Sequence, residues 1–266
     1  MHPHVSIVNV GGIDLLDILK PPVLTFQDFI VLTGRSWRNV FRAPHYLDDV
    51  LIQMDTIGVG SLFIVLFIGL FSGLVMGLQL SRTLATYGAT AQLGQLVSVV
   101  LVRELGPVLV SLLVAGRNAS GIASELGSMK VTEQIDAMRA LGTDPVQKLV
   151  TPRLIATAVT LPLLTILADL IGLMGGYIIG KYRFGLPFSQ YWTSSWQVLE
   201  YNDVVQGLVK PFAFAIIISL VGCFYGMRTS GGTEGVGRST TKAVVVSSIW
   251  IFIVDFVLGE IFVNLT

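Results

Sequence analysis

The sequence predicts an all-α integral membrane protein: an N-terminal amphipathic helix lying in the membrane interface, five transmembrane helices, and a short cytoplasmic helix between the second and third spans. Three observations predict it. Of 266 residues, 53% are hydrophobic and 13% charged, against roughly 25% charged in an average soluble domain. The mean hydropathy of +0.75 exceeds what a buried core explains, because a soluble chain still needs a polar surface to cover that core. Finally, the apolar residues gather into five segments near the ~20 residues that cross a hydrocarbon core of about 30 Å.

Residues 1–25 lack a basic start, a continuous apolar stretch and a small-residue cleavage site, so no signal peptide is expected and the mature chain is expected to begin here. Residues 26–51 mix Phe26, Phe29, Ile30, Trp37, Val40 and Phe41 with Arg35, Arg38 and Arg42. That pattern suits a helix in the headgroup region, and also an ordinary cytoplasmic helix. Residues 52–266 form the five-span domain, with spans at 57–80, 93–115, 155–179, 211–227 and 243–265. Glycines at Gly69, Gly73 and Gly77 in the first span, and at Gly172, Gly175, Gly176 and Gly180 in the third, permit close helix contact within or between chains.

Basic residues assign the sides. Arg35, Arg38 and Arg42, then Arg117, Lys130, Arg139, Lys148 and Arg153, then Arg228, Arg238 and Lys242 all fall on one side. The positive-inside rule makes that side cytoplasmic, with the N-terminus inside and the C-terminus outside. Opposite them stand Arg82, and Lys181 and Arg183 balanced by Glu200 and Asp203. Trp192 and Trp196 suit an interfacial segment in the outer loop. Seventeen basic and seventeen acidic residues cancel, so no global field draws nucleic acid. The single cysteine, Cys223, lies in an apolar run and reads as a small buried hydrophobe. His2, His4 and His45 lie outside the spans, and no paired carboxylates, metal-spaced histidines or nucleophile with a base appear, so the chain is not expected to be an enzyme.

Three stretches carry chemistry. The run 232–239 (GTEGVGRS) matches the phosphate-loop pattern except that Arg238 replaces the lysine. Because a transmembrane segment precedes it in place of a strand, it reads as a flexible cytoplasmic turn, and any ATP is hydrolysed by another chain. Arg103 and Glu104 interrupt the second span. Each charge near the bilayer centre costs about 2.5 to 3.5 kcal/mol unless paired or facing a polar cavity, and Gly106-Pro107 is expected to bend or break the helix. The alternative is a span offset so that the pair snorkels to an interface. Asp169, Asp255, Glu260 and Lys210 are the available partners. In 131–145, Val131, Ile135, Met138 and Gly142 mark one face of a short amphipathic helix that Gly142 and Pro145 stop. With so little soluble mass, its apolar face is expected in a partner's groove, or against neighbouring loops.

The motifs Leu101-Val-Arg-Glu-Leu-Gly-Pro107, Ala115-Gly-Arg117, Glu125-Leu-Gly127, Thr132-Glu-Gln-Ile-Asp136, Gly142-Thr-Asp-Pro145 and Pro152-Arg153 occur in order, with Gly73 to Tyr87 before them and Asp255 to Leu258 after. Together they resemble the MlaE/YrbE permease family over about 26–262. The resemblance implies a homodimeric permease in the inner membrane of a Gram-negative bacterium that moves phospholipids between inner and outer membranes and maintains outer-membrane lipid asymmetry. It implies as partners a second copy of the chain, a cytoplasmic ABC ATPase dimer that binds the ATP and magnesium, a periplasmic lipid-binding MCE-domain hexamer and a STAS-domain protein. It also implies that Arg103, Glu104 and Lys210 are polar groups of the lipid pathway, that Leu74, Val75 and Leu78 line its acyl-chain cavity, and that Glu133, Gln134, Asp136, Met138, Arg139 and Gly142 couple to the ATPase within a region of about 117–152. Two rivals remain: a small-solute ABC importer permease, suggested by 136–142 but lacking the downstream element at Thr151-Pro152-Arg153, and an ion-coupled carrier relaying protons through Glu104, Asp169 and Asp255.

Overall fold

The structure is a computed structural model that describes residues 15–44 and 46–265; the readings of His2, His4, His45 and the first fourteen residues lie outside it. The described residues form helices and turns and no strand. Helix α1 spans Leu15–Val40, α2 Leu47–Thr86 and α3 Thr90–Val131, α4 Gln134–Ala140, α5 Val146–Phe184, α6 Phe188–Gln197, α7 Tyr201–Met227 and α8 Gly232–Leu265. Helices α2, α3, α5, α7 and α8 are each long and apolar enough to cross a membrane. The 42 residues of α3 reach roughly 60 Å at 1.5 Å per residue, about twice a hydrocarbon core. The helices therefore continue well beyond the spans read from hydropathy.

Four differences from the sequence reading have local causes. The expected helix over 26–51 stops at Val40, and Leu47 already opens the first span. Pro44 disfavours helix in the residue before it, and Gln147 Nε2 donates to the carbonyls of Arg42 (3.1 Å) and Pro44 (3.0 Å), pinning the turn. The Gly106-Pro107 step does not break α3. A wide π turn at Leu101–Leu105 precedes it, shifting the hydrogen-bond register where the proline lacks a donor, so the helix stays continuous. The glycine-rich run is not a turn, since helix begins at Gly232. Only Gly231 and Gly232 take left-handed backbone angles there, and Glu234, favoured by the dipole at a helix start, lies 3.7 Å from Arg238 one turn on. Between the spans read at 93–115 and 155–179, finally, α3, α4 and α5 occupy most of 117–153, so the connection is largely helical and not confined to one short helix.

The glycines of the first and third spans meet each other within one chain. A Cβ on Gly73 would lie 1.7 Å from the Gly172 carbonyl oxygen, and one on Gly69 2.4 Å from that of Ala168. Helices α2 and α5 thus pack backbone to backbone, which only small residues allow. The centre of the bundle is filled by Val65, Val110, Val114, Leu161, Phe214 and Ile251. Toward α4, Ile122, Ile135, Leu149, Leu220 and the fully buried Cys223 close the core. At the opposite end, α6 lays Tyr191 against α3 and α5, stacks Phe188 on Trp192 at a centroid distance of 5.6 Å and sets Trp196 edge-on to Trp192 at 5.8 Å. Helix α8 touches the bundle by a narrow seam, with Ala243, Ser247 and Ile251 buried at four-residue spacing and most of its remaining surface turned outward.

Candidate functional site

The intramembrane charges converge on Lys210. Its side chain is wholly buried, ten residues into α7. Lys210 Nζ donates to Glu104 Oε2 at 2.6 Å and lies 2.9 Å from Asp255 Oδ1, an ion pair off the line of a hydrogen bond. Gln206 Nε2 donates to Glu104 Oε1 at 3.2 Å. One ammonium thereby joins α3, α7 and α8 at a depth where an unpaired charge is costly. Two carboxylates share this one amine. The Glu104 side chain remains 49% exposed on the surface of the single chain, so this cluster opens outward rather than being sealed in the core.

Arg103 is not part of this cluster. Adjacent helix residues point about 100° apart, and Arg103 Nε reaches the other way, 2.5 Å from Asp203 Oδ1. Asp203 lies in the first turn of α7, where its carboxylate also accepts from the Glu200 backbone N–H at 3.0 Å in a reciprocal capping box. Arg103 thus pairs with the start of α7 while Glu104 pairs with Lys210 ten residues into that helix, so the two neighbours have different partners. Glu260 takes no part: Asn264 Nδ2 donates to its Oε1 at 3.0 Å. Asp169 is buried against Gly106, where a Cβ would lie 1.8 Å from its Oδ1, and that oxygen has no hydrogen-bond partner among the described residues. It borders an apolar cavity of about 190 Å³ that also touches Val102, Leu173, Trp196 and Gly207.

Of the three proposed lining residues, Val75 and Leu78 are exposed on the outer face of α2, whereas Gly73 and Gly77 are buried against α5. Leu74 is half-buried, and its backbone nitrogen approaches Gly175. The contacts of the structure gather Glu104, Gln206, Lys210 and Asp255, and do not add these three.

Helix α4 is an arm folded back on the bundle. Ile135 is fully buried and Met138 packs beside it, in the cluster with Ile122 and Leu149. Two of its four apolar-face positions, Ile135 and Met138, are therefore covered by helices of this chain, while Val131 and Gly142 stay exposed. Asp136 accepts from Lys130 Nζ (2.6 Å) and Arg139 Nη1 (2.8 Å). The hydrogen bond from Lys130 is the chief cause holding its carboxyl below the ordinary carboxylate range. Glu133, with a left-handed backbone, and Gln134, Arg139 and Gly142 stay exposed. So does Leu141, 83% exposed at the tip, a residue the amphipathic pattern did not single out.

Sequence reasoning missed Gln206 and the pairing role of Asp203. Their signal was present, since Asp203, Gln206 and Lys210 recur at helical spacing on one buried face of α7, but it lay ahead of the hydropathy-defined span.

Comparison with known proteins matches residues 50–261 to the family described as Permease MlaE. A protein of Rickettsia felis named "Probable ABC transporter permease protein" is 43% identical over 88% of this chain and 90% of its own length. The Haemophilus influenzae "Intermembrane phospholipid transport system permease protein MlaE" is 37% identical over 79% of this chain and 80% of that one. In Arabidopsis thaliana, "Protein TRIGALACTOSYLDIACYLGLYCEROL 1, chloroplastic" is 35% identical over 92% of this chain and 67% of that protein. Five membrane-crossing helices, a charged second span and this match over most of the length place the chain in the MlaE permease family.

Proposed function

We propose that this chain is the membrane subunit of an ATP-binding-cassette transporter that moves phospholipids between the inner and outer membranes of a Gram-negative bacterium and so maintains outer-membrane lipid asymmetry. The observation that carries the reading is the Lys210 cluster. A half-exposed carboxylate, Glu104, held at membrane depth by a buried ammonium, calls for a polar cavity or a second chain over it. A two-chain amphiphile needs such a polar spot for its headgroup beside apolar walls for its tails. A second copy of this chain facing Glu104 supplies the other wall, with Leu74, Val75 and Leu78 as candidate contacts for acyl chains. Arg103, paired with Asp203, sets the outer end of the pathway. The printed name of the Haemophilus relative supports phospholipid as the cargo.

Energy enters from other chains. An ATPase dimer on the basic, cytoplasmic side binds ATP and magnesium and presses on α4 through Glu133, Gln134, Arg139, Leu141 and Gly142, with Ile135 and Met138 anchoring the arm and Asp136 bracing it. A push there is passed on rigidly, since the buried Arg153 pairs with Glu125 (2.7 Å) across α3 and α5, and the shift of one protomer against the other reshapes the cavity. An MCE-domain hexamer outside and a STAS-domain protein inside complete the assembly. The test is Glu104→Arg, which places two cations together. Complex assembly is expected to persist while the outer-membrane barrier is lost; intact barrier function removes Glu104 from the pathway. The unpartnered Asp169 Oδ1 favours one rival, an ion-coupled carrier, which transport surviving without ATP but collapsing with the proton gradient would select.

A further inference from the structure

Away from the Lys210 cluster, α1 stands off from α7 and α8 and leaves a groove whose two ends differ in chemistry. At the turn before α8, a cavity of about 320 Å³ is lined by Arg228, Arg238 and Lys242 with the hydroxyls of Ser230 and Ser239. It shares Thr25, Phe224 and Tyr225 with a second cavity of about 270 Å³. That one shares Phe26, Phe29, Val221 and Trp250 with a third of about 520 Å³, which ends at Ile30 and Val254 and is almost wholly apolar. The three form one continuous slot.

Charge and length restrict what fits. Of the three cations, Arg228 is paired with Asp28 and Arg238 stands 3.7 Å from Glu234, while Lys242 makes no ion pair among the described residues. The start of α8 adds its own partial positive charge. Net positive charge therefore remains at that end, and it calls for an anion. From Lys242 to Val254 the slot runs about 18 Å along α8 at 1.5 Å per residue. That is close to one leaflet, about half of a 30 Å core. An anionic head above one leaflet's depth of apolar wall describes a glycerophospholipid.

We propose that this slot is a binding site for an anionic phospholipid of the leaflet at the α4 end of the bundle, distinct from the lipid in transit. The phosphate and its charged headgroup sit among Arg228, Arg238 and Lys242, and the acyl chains lie between Phe26, Phe29 and Ile30 of α1 and Trp250 of α8. Bound there, the lipid fills the gap that α1 leaves and fixes the angle of α1 against the bundle. This inference does not depend on the transport reading, because its readout is occupancy.

The test uses the full chain reconstituted in phosphatidylcholine bilayers containing a trace of phosphatidylglycerol with a photoreactive acyl chain. Cross-links are expected in the peptides around Ile30 and Trp250. The double variant Arg238→Gln, Lys242→Gln alters two exposed side chains and is expected to keep the wild-type melting temperature while losing about tenfold or more of the cross-link yield, the effect of removing two surface cations. A phosphatidylcholine probe is expected to label both forms weakly and equally. Equal labelling by the two probes, unchanged yield in the double variant, or displacement by inorganic phosphate beyond a chloride control of equal ionic strength overturns the proposal. So does a cross-link to a partner polypeptide in native membranes in place of lipid.

Discussion

Lys210 ties three helices together, because one ammonium forms ion pairs with carboxylates from two other helices. Lys210→Met leaves Glu104 and Asp255 without their cation. Breaking a buried pair from one side costs about 3–5 kcal/mol because it strands a charge, and neutral isosteres at the remaining members remove that stranded charge. The expected outcome is a marked fall in melting temperature for the single variant in detergent, largely recovered in Lys210→Met, Glu104→Gln, Asp255→Asn. If the triple variant melts as low as the single one, the loss comes from packing around the lysine stem and not from unpaired charge. Arg103 is a milder case, since its side chain is 42% exposed and its partner Asp203 also caps α7.

Helix contacts set the next scale. The α2–α5 seam depends on hydrogen atoms where other residues carry a Cβ, so Gly73→Ala must move backbone, because the nearest atom is the Gly172 carbonyl oxygen at 1.7 Å. Forcing volume into a packed contact costs about 1–3 kcal/mol and occasionally more. Gly116→Ala, in α3 with nothing within 4 Å of the added carbon, is expected to be neutral or to stabilise by up to about 1 kcal/mol through helix propensity. Thermal unfolding of the two variants side by side measures the contrast. The α4 arm makes a prediction in pH. Its brace at Asp136 has a lowered carboxyl pKa, first through the hydrogen bond from Lys130. A depressed value means that the stabilisation is fully present above the ordinary carboxylate pKa of about 3.9 and lost as pH falls through the lower folded value. Asp136→Asn is therefore expected to speed amide exchange in α4 relative to wild type at neutral pH, with the difference vanishing in strong acid.

For the whole molecule the decisive quantity is orientation. Leu141 at the tip of the α4 arm and Tyr201 at the start of α7 are each 83% exposed, and Cys223 is fully buried, so single cysteines at these sites report cleanly. A membrane-impermeant maleimide is expected to label Tyr201→Cys in cells whose outer membrane alone is permeabilised, and Leu141→Cys only once the inner membrane is opened. The reverse pattern inverts the positive-inside assignment and with it the placement of the ATPase.

Composition and hydropathy alone determined the solvent, the number of spans and the existence of a charged second span, because a bilayer imposes length and apolarity on each segment independently of its neighbours. The short amphipathic helix was legible for the same reason, from a periodicity local to a dozen residues. Hydropathy began α7 ten residues late, at Pro211, because it measures apolarity and Asp203, Gln206 and Lys210 look like loop until something buries them. Only the tertiary structure decided that the glycines of α2 meet those of α5, that Ile135 and Met138 are covered by their own chain, and that Arg103 finds Asp203 while Glu104 finds Lys210. Which charge meets which is settled by residues about a hundred positions apart, as Lys210 and Glu104 are. A helix's own sequence fixes the direction in which a side chain leaves it, and the neighbouring helix fixes what it finds there.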